Sequence, residues 1–240
     1  MKCYTLKEYA SIHSTNDCIK RLAAKNAPEW TVILAKRQTK GRGRRERRWA
    51  SQKGGLYFSV LLYPKHVEHL QILTFAAALA VLKAIRMHCP ASPCIKWPND
   101  ILINHRKVCG ILTETTLGER VSCIVGIGLN ANQTKFPKEI RGTATSLLRE
   151  TGKKFGVRVL ASSILKNFHH LYLSFEGGNH KKILDEWRQQ CITLGKNVFI
   201  SSTGGTFSGK AAGVTDEGML RVKLPSGKIR IVAEGDASIR

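Results

Sequence analysis

The sequence has few acidic residues for its length. Asp and Glu number 17 against 39 Lys and Arg, so the 240 residues carry a formal net charge of +22. Such an excess predicts attraction to phosphates, acidic proteins or anionic surfaces, and it carries no information about the fold. Residues 36–48 alone hold eight Lys or Arg and one Glu, so about a third of the excess lies in one short segment.

The sequence also lacks the patterns of metal-binding, disulfide-linked and secreted proteins. Its seven cysteines form no CxxC pair and have no His cluster of zinc spacing near them, which favours free thiols in a reducing cytoplasm. The N-terminus lacks the hydrophobic core of a signal peptide. The longest apolar run, residues 72–82, is too short to span a bilayer and predicts a buried helix. These absences predict a soluble cytoplasmic protein without a membrane segment.

Short β-rich segments alternate with helical ones, without repeats or low-complexity tracts. The β-rich patterns predict strands at residues 4–9, 31–36 and 56–63, and a strand meander across 94–130. Amphipathic or apolar patterns predict helices after a cap at Ser14 or Thr15 and at residues 71–87, 157–175 and 179–191. Two parts are expected on this basis, because the pattern changes after Gly195 to short strands with glycine-rich turns.

The expected fold class is α+β. Residues 1–192 should form a catalytic domain in which helices pack on a central mixed or antiparallel sheet. Residues 193–240 should form a small all-β barrel. The barrel carries little of the excess charge, so the basic surface is expected on the larger domain.

The segment GRGRRERRW, residues 41–49, places five arginines within nine residues. Gly41 and Gly43 allow the backbone to approach a ligand or to adopt a positive φ, and each guanidinium can bridge two phosphate oxygens. The segment could bind a nucleic acid, bind the phosphates of one small molecule, or be a solvated loop. Its one aromatic residue, Trp49, provides no interleaved stacking platform for single strands, which favours the small molecule.

Two further segments combine lysine with apolar strands. KWPND, residues 96–100, is followed seven residues later by KVCGILTE, which begins at Lys107. Lysine is rarely buried without a partner, and Gly110 permits a close approach to a ligand. Each segment alone could be a hairpin whose lysines point to solvent. Their occurrence in this order after the arginine-rich segment favours a shared function.

The chain contains, in this order, STN (14–16), Gln38 with GRGRR (41–45), Trp49, LYFS (56–59), KWPND (96–100), KVCGIL (107–112) and GIGLNAN (126–132). This series resembles the biotin protein ligases, also called biotin–[acetyl-CoA-carboxylase] ligases or holocarboxylase synthetases. The resemblance extends from about residue 4 to the final DASIR. It implies a class II synthetase-like catalytic domain of the biotin/lipoate ligase type, followed by a Src-homology-3-type barrel.

The resemblance also implies a two-step reaction. Biotin and ATP would form biotinyl-5'-AMP, and the biotinyl group would then pass to one lysine of the biotin carboxyl carrier protein of acetyl-CoA carboxylase. Mg²⁺ is expected with ATP, and no metal ligands are assigned, because this ion binds phosphates with few protein ligands. The arginines would then fold over the phosphates of one activated intermediate, where developing charge must be neutralised.

The resemblance implies roles for individual residues. The residues expected to bind biotin are Ser14, Thr15, Gln38, Gly41, Arg42, Gly110 and Leu112, the first three through the ureido ring. The residues expected to bind ATP or the adenylate are Arg44, Trp49, Lys96, Asn99, Asp100, Lys107, Asn130 and Arg240. Lys107 and Arg44 are the expected catalytic residues. Ser14 or Thr15 could instead only cap a helix, and Asn130 could only form a turn.

Two departures from the family pattern have expected consequences. Glu46 stands where the family commonly has glycine, so its side chain limits positive φ and adds negative charge near the phosphates; Glu46→Gly should alter adenylate release. Some members carry an N-terminal helix-turn-helix repressor domain, whereas about ten residues precede STN here. No recognition helix fits in them, which predicts a monofunctional ligase without operator binding.

Other functions and assemblies remain open at the level of the sequence. A lipoate or octanoyl ligase would need a long apolar slot, which the polar Ser14, Thr15 and Gln38 argue against. A nucleic-acid-binding module would show affinity that falls steeply with salt. A free edge strand of the central sheet could pair with the carrier, with a second copy in a homodimer, or with neither.

Overall fold

The computed structural model describes residues 4–116 and 120–239. Its larger part is built on a seven-stranded sheet in the order β1-β2-β3-β7-β6-β5-β4. The strands are β1 (Thr5–Tyr9), β2 (Thr31–Ala35), β3 (Leu56–Leu62), β4 (Cys94–Lys96), β5 (Asp100–Ile103), β6 (Arg106–Thr116) and β7 (Ser122–Leu129). Strands β1 and β2 are parallel and all other neighbours are antiparallel, so the predicted mixed sheet and the β4–β7 meander are confirmed.

Helices cover both faces of this sheet. They are α1 (Thr15–Ala23), α2 (Leu70–His88), α3 (Leu147–Thr151), α4 (Val157–Glu176) and α5 (His180–Gln190). Strand β2 alternates between two cores: Val32 and Leu34 belong to the main core with α2, α4 and α5, whereas Ile33 packs with Ile19 of α1. Every residue of β2 is therefore buried, as its continuous apolar sequence predicts.

Helix α2 is the central helix of the main core. The segment Val67–His88 is long and apolar enough to cross a membrane, but 72% of its apolar window is buried inside the fold. The predicted buried helix is confirmed. The apolar run at 72–82 is only part of this helix, which extends to His88, and the packing of the helix against α4, α5 and the sheet accounts for its composition.

Helix α3 was not predicted. It spans only five residues, which is too short for an apolar period to be recognised. Its ends carry ordinary signals: the hydroxyl of Ser146 accepts a hydrogen bond from the backbone of Arg149 (3.1 Å), and Gly152 ends the helix with φ 71°. Caps without an apolar period do not distinguish a short helix from a turn.

The C-terminal part is a five-stranded antiparallel sheet in the order β11-β10-β9-β8-β12. The strands are β8 (Asn197–Ser202), β9 (Gly205–Val214), β10 (Leu220–Lys223), β11 (Ile229–Val232) and β12 (Asp236–Ile239). The all-β prediction is confirmed, while closure into a barrel and a boundary after residue 192 stay predictions. This sheet contacts the larger part through Trp97, whose Nε1 donates to the carbonyl of Gly218 (3.3 Å).

The six cysteines within the described ranges are free, and five of them are buried, in agreement with the prediction of free thiols. The seventh, Cys3, lies outside the described residues. The segment KWPND forms a tight turn between β4 and β5, with a cis peptide bond between Trp97 and Pro98.

Three histidines crowd together where α4 ends and α5 begins. The ring of His180 lies 5.0 Å from that of His66 and 4.4 Å from that of His69. Burial and the neighbouring His69 lower the pKa of His180 below its ordinary value of 6.5, so the fold favours the neutral ring.

This cluster should make stability depend on pH. Because the folded pKa of His180 is depressed, its contribution is present above about pH 6.5 and is lost as the pH falls through the lower folded value. We expect the thermal midpoint to fall between pH 7.5 and 5, and to fall less in His180→Gln, which keeps a donor but cannot become charged. Circular dichroism melts across this range measure the effect, and equal slopes in both proteins would contradict it.

Candidate active site

A cavity of about 250 Å³ lies above β6 and β7, enclosed by α1 and by the arginine loop, as we name residues 41–49. Twelve of the residues predicted from the sequence line it: Ser14, Thr15, Gln38, Arg42, Arg44, Trp49, Asn99, Asp100, Lys107, Gly110, Leu112 and Asn130. They come from positions as far apart as 14 and 130, so the fold brings together segments that the sequence only places in order.

Two predicted residues have other positions, and a third cannot be compared. Gly41 is buried at the base of the arginine loop, where its carbonyl accepts from the backbone of Trp49 (2.9 Å) and a Cβ would lie 2.5 Å from Ser51 Oγ. Lys96, at the end of β4, is not among the residues that line the cavity. Arg240 lies outside the described residues.

One end of the cavity is a buried hydrogen-bond network. Gln38 Oε1 accepts from the backbone and the hydroxyl of Thr15 (2.8 and 3.1 Å), and Gln38 Nε2 donates to Ser51 Oγ (2.8 Å). The hydroxyl of Ser59 lies 2.7 Å from Thr15 Oγ1 and 2.6 Å from Asn16 Oδ1. Because Ser59 has a single proton, it can donate to only one of these two oxygens at a time.

Ser14 occupies the same end of the cavity and has a structural role as well. Its hydroxyl accepts from the backbone of Asp17 (3.3 Å), so it caps α1 while it lines the cavity. The helix cap and the ligand site, which the sequence presented as alternatives for this residue, therefore occur at one position. The cap fixes where α1 begins and so fixes Thr15 and Asn16 beside the network.

The floor of the cavity is formed by glycines of β6 and β7. In the strand register Gly126 lies opposite Ser59 and Leu112, and Gly128 lies opposite Gly110. A Cβ at Gly126 would overlap Asn16 Oδ1, and one at Gly128 would lie 2.5 Å from Trp49 Nε1. The network and Trp49 thus stand two residues apart along β7, about 7 Å, over a floor where glycine backbone alternates with the side chain of Leu112.

Lys107 and Arg44 give the second end of the cavity its positive charge. Lys107 Nζ lies 2.5 Å from Asp100 Oδ1 and 5.2 Å from the centre of the Trp49 ring. Arg44 is largely buried and points between Asn99 Oδ1 (3.4 Å) and the carbonyl of Gly235 (3.2 Å). Burial lowers the pKa of Arg44, but arginine stays protonated because its ordinary value lies far above neutral pH.

The arginine loop is tied to the C-terminal sheet. Arg45 donates to the carbonyl of Ser201 (3.0 Å), and Arg47 pairs with Asp236 (2.5 Å), which itself lines the cavity. At the tip of the loop, Arg45 and Glu46 have φ values of 53° and 59°. These contacts place the loop between the two sheets, with its tip in the left-handed conformation.

Comparison with known proteins identifies the family. The model of the biotin/lipoate A/B protein ligase family matches residues 9–132, and that of the biotin protein ligase C-terminal domain matches residues 193–240. The chain belongs to the biotin/lipoate A/B protein ligase family. The bifunctional ligase/repressor BirA of Bacillus subtilis is 40% identical over 222 residues, which cover 90% of this chain and 68% of that protein.

Two further proteins that this chain is similar to are named as biotin ligases. The biotin–[acetyl-CoA-carboxylase] ligase of Mycobacterium tuberculosis is 31% identical over 95% of this chain and 86% of its own. The biotin protein ligase of Aquifex aeolicus, solved in complex with biotin and ATP, superposes with a TM-score of 0.86 at 34% identity over 98% of both chains. The latter confirms the predicted ligase fold for both parts of the chain.

Several residues of this cavity and its support were not assigned from the sequence. Asn16, Ser59, Gly126, Gly128 and Asp236 line or support the cavity. Ser59 had a usable signal, because it is the one polar residue inside the apolar strand LYFSVLL. Asn130, which was assigned, lines the cavity while its amide donates to the carbonyl of Thr145 (2.9 Å).

A buried carboxylate, that of Glu150, stabilises the segment that binds the Lys107 backbone. The side chain of Glu150 is 3% exposed and accepts from Arg106 (2.7 Å), Asn104 (2.7 Å) and the hydroxyl of Thr145. The backbone of Thr145 in turn donates to the carbonyl of Lys107 (2.9 Å). Glu150 therefore joins the β5–β6 turn to the segment that fixes the Lys107 backbone.

Glu150→Gln should lower the free energy of unfolding by about 2 kcal/mol, because the three donors around this buried side chain would lose their anionic acceptor. Urea unfolding followed by circular dichroism measures this. The matched control is Glu139→Gln on the exposed 3₁₀ turn Lys138–Ile140, which should be close to neutral. Equal stabilities of the two variants would show that the Glu150 set contributes little.

Proposed function

We propose that this protein is an ATP-dependent biotin protein ligase. It forms biotinyl-5'-AMP and pyrophosphate from biotin and ATP, and then transfers the biotinyl group to a lysine of a carrier protein. The observation that carries the proposal is one cavity with a buried neutral hydrogen-bond network at one end and Lys107 with Arg44 at the other. The likeness to the Aquifex aeolicus ligase, whose complex contains biotin and ATP, supports it.

The polar end suits the ureido ring of biotin. That ring is neutral and offers both N–H donors and a carbonyl acceptor, which the mixed donors and acceptors of Thr15, Gln38 and Asn16 can match. The buried Ser59 holds Thr15 and Asn16 in place behind them. Lipoate and octanoate have no such groups, so they would leave these buried polar atoms unpaired, which costs about 1–3 kcal/mol for each atom.

The cationic end suits adenylation. An oxygen of the biotin carboxylate would attack the α-phosphorus of ATP, a new P–O bond would form, and the bond to the β-phosphate would break with pyrophosphate leaving. Lys107 and Arg44 would neutralise the charge that develops on the phosphate oxygens. The loop held over the cavity by Ser201 and Asp236 would keep water away from the anhydride.

In the second step the carrier lysine, as a free amine, would attack the carbonyl carbon of the mixed anhydride, and AMP would leave. The reactivity of the anhydride and the positioning of the amine account for this step without an assigned base. The proposed carrier is the biotin carboxyl carrier protein of acetyl-CoA carboxylase. The net charge of +22 would speed encounter with an acidic carrier domain.

Mg²⁺ belongs to the proposal as the partner of ATP. Within the described ranges no group of three or more His, Cys, Asp or Glu is placed to hold a metal, so the chain offers no full ligand set. Asp100 and Asp236 both line the cavity, and Asp100 Oδ1 is buried without a well-directed hydrogen bond although Lys107 is close. Asp100 thus offers a carboxylate oxygen to an ion held mainly by phosphates, whose charge the ion would neutralise, whereas Asp236 is already paired with Arg47.

Pyrophosphate release from ATP tests the proposal, with purified protein, Mg²⁺ and biotin, lipoate or octanoate added in turn. We expect release with biotin alone. Release with lipoate or octanoate instead would keep the adenylation chemistry and overturn the assignment of the polar end. No release with any acid, together with binding to nucleic acid that weakens steeply with salt, would overturn the ligase proposal.

Glu46→Gly should slow release of the adenylate. Glu46 has φ 59°, a conformation that glycine adopts about 1 kcal/mol more easily, and its carboxylate stands in the loop proposed to cover the phosphates. Relief of both effects should stabilise the closed loop and slow release about fivefold. Dissociation of labelled biotinyl-5'-AMP after dilution measures this, and an unchanged rate would show that Glu46 does not limit loop closure.

A further inference from the structure

The first side chain of the arginine loop is not free to bind an anion. Arg42 pairs with two carboxylates at once, Asp17 of α1 and Glu114 of β6. Glu114 lies outside the residues that line the cavity, and its side chain is 22% exposed. Because two negative charges already surround this guanidinium, Arg42 holds the base of the loop in place and the positive charge for phosphates comes from other residues.

The second oxygen of Glu114 reaches the buried network. Oε2 accepts from Asn16 Nδ2 (2.7 Å), whereas Oε1 accepts from Arg42. Asn16 is 5% exposed and receives the hydroxyl of Ser59 on its Oδ1. One carboxylate therefore connects the polar end of the cavity with the start of the arginine loop.

The end of the loop is connected to the same network. Gln38 donates to Ser51 Oγ (2.8 Å), and Ser51 donates to the carbonyl of Trp49 (3.2 Å). The network is thus joined to the loop at Arg42 through Glu114 and at Trp49 through Ser51. A ligand that orders the network would restrain both ends of the loop.

We propose that Glu114 is a positioning residue that couples biotin binding at the polar end to nucleotide binding under the arginine loop. This inference rests on the proposed function. A ureido ring that fixes Asn16 would also fix the Glu114 carboxylate and, through it, Arg42, so that the loop is ordered before ATP arrives. Biotin should then raise the affinity for nucleotide, and by linkage nucleotide should raise the affinity for biotin.

Glu114→Gln separates the two contacts without a change of shape. The glutamine amide has one oxygen and one NH₂ group, whereas both neighbours, Asn16 Nδ2 and Arg42, are donors. Whichever way the amide turns, one donor faces another donor. Either the network or the loop loses its partner, so the connection is broken although the side chain still fits.

The experiment measures the affinity for a non-hydrolysable ATP analogue by calorimetry, with and without saturating biotin. In the wild type we expect biotin to raise this affinity about tenfold. In Glu114→Gln the ratio should fall close to one. Arg42→Gln removes the loop side of the same connection and should also lower the ratio. Glu139→Gln, an exposed exchange of the same kind, should keep the wild-type ratio.

The possible results of this experiment distinguish a failure of the inference about Glu114 from a failure of the proposed function. Loss of stability alone would lower the fraction of folded protein and leave the ratio unchanged, so a wild-type ratio in Glu114→Gln would overturn the inference. A wild type that binds biotin and the analogue without coupling would also overturn it, while the ligase function stands. A wild type that binds no biotin would overturn the proposed function, and the inference with it.

Discussion

Lys107→Ala should reduce biotin-dependent pyrophosphate release by about 10²–10³-fold, the usual loss when one preorganised charge at a transition state is removed. Lys107 is held on both sides: its backbone is bound by Thr143 (2.7 Å) and Thr145 (2.9 Å), and its Nζ by Asp100 (2.5 Å). A group fixed in this way needs no reorganisation when negative charge develops. The loss should therefore appear in kcat more than in the KM for biotin.

Initial rates at saturating ATP give both constants. Lys138→Ala, an exposed lysine of the 3₁₀ turn Lys138–Ile140, serves as the control for the loss of one positive charge from a protein of net charge +22. A loss of less than about tenfold in Lys107→Ala would mean that Arg44 and the proposed Mg²⁺ carry the phosphate charge on their own. An equal loss in both variants would point to general electrostatic steering.

Gly126→Ala should weaken biotin binding by about 2–3 kcal/mol, or roughly 30–150-fold, because it combines overpacking with the loss of buried hydrogen bonds. A Cβ at this position would overlap Asn16 Oδ1. Asn16 cannot easily yield, since Ser59 and Glu114 hold its two amide atoms (2.6 and 2.7 Å). The methyl group would thus separate Asn16 from the network proposed to bind the ureido ring.

Calorimetric titration with biotin measures this effect. Gly142→Ala is the matched control, because a Cβ at Gly142 would meet no atom within 4 Å. Thermal melts of both variants show whether the fold is kept. An affinity for biotin within a few-fold of the wild type in Gly126→Ala would show that the polar network is not where biotin binds.

The elements that the sequence predicted are those with a strong local signal. Strand β2 and helix α2 were recognisable because buried strands and helices need apolar residues almost throughout. Helix α3 was missed because its five residues carry caps and little else. Local patterning thus predicted most of the strands and long helices, and it predicted strand neighbours only within the meander across 94–130.

The residues of the site likewise divide into those with a local sequence signal and those known only from contacts between distant positions. Lys107, Arg44 and Trp49 could be chosen because they stand in recognisable segments. The role of Glu114 could not be foreseen, because its contact with Asn16 joins positions 98 residues apart. The role of Asp236 depends on a contact with Arg47 across 189 residues. Such contacts follow from strand register and sheet packing, which single-sequence patterns do not contain.

Through the contacts of Arg45 with Ser201 and of Arg47 with Asp236, the arginine loop connects the larger part to the C-terminal sheet. A chain divided in the turn that follows Cys191, before β8, would leave the loop in one piece and its anchors in the other. The proposed activity would then return only when the two pieces associate. The protein is therefore a natural starting point for a split-enzyme reporter, in which labelling of a nearby lysine records the meeting of two fused partners.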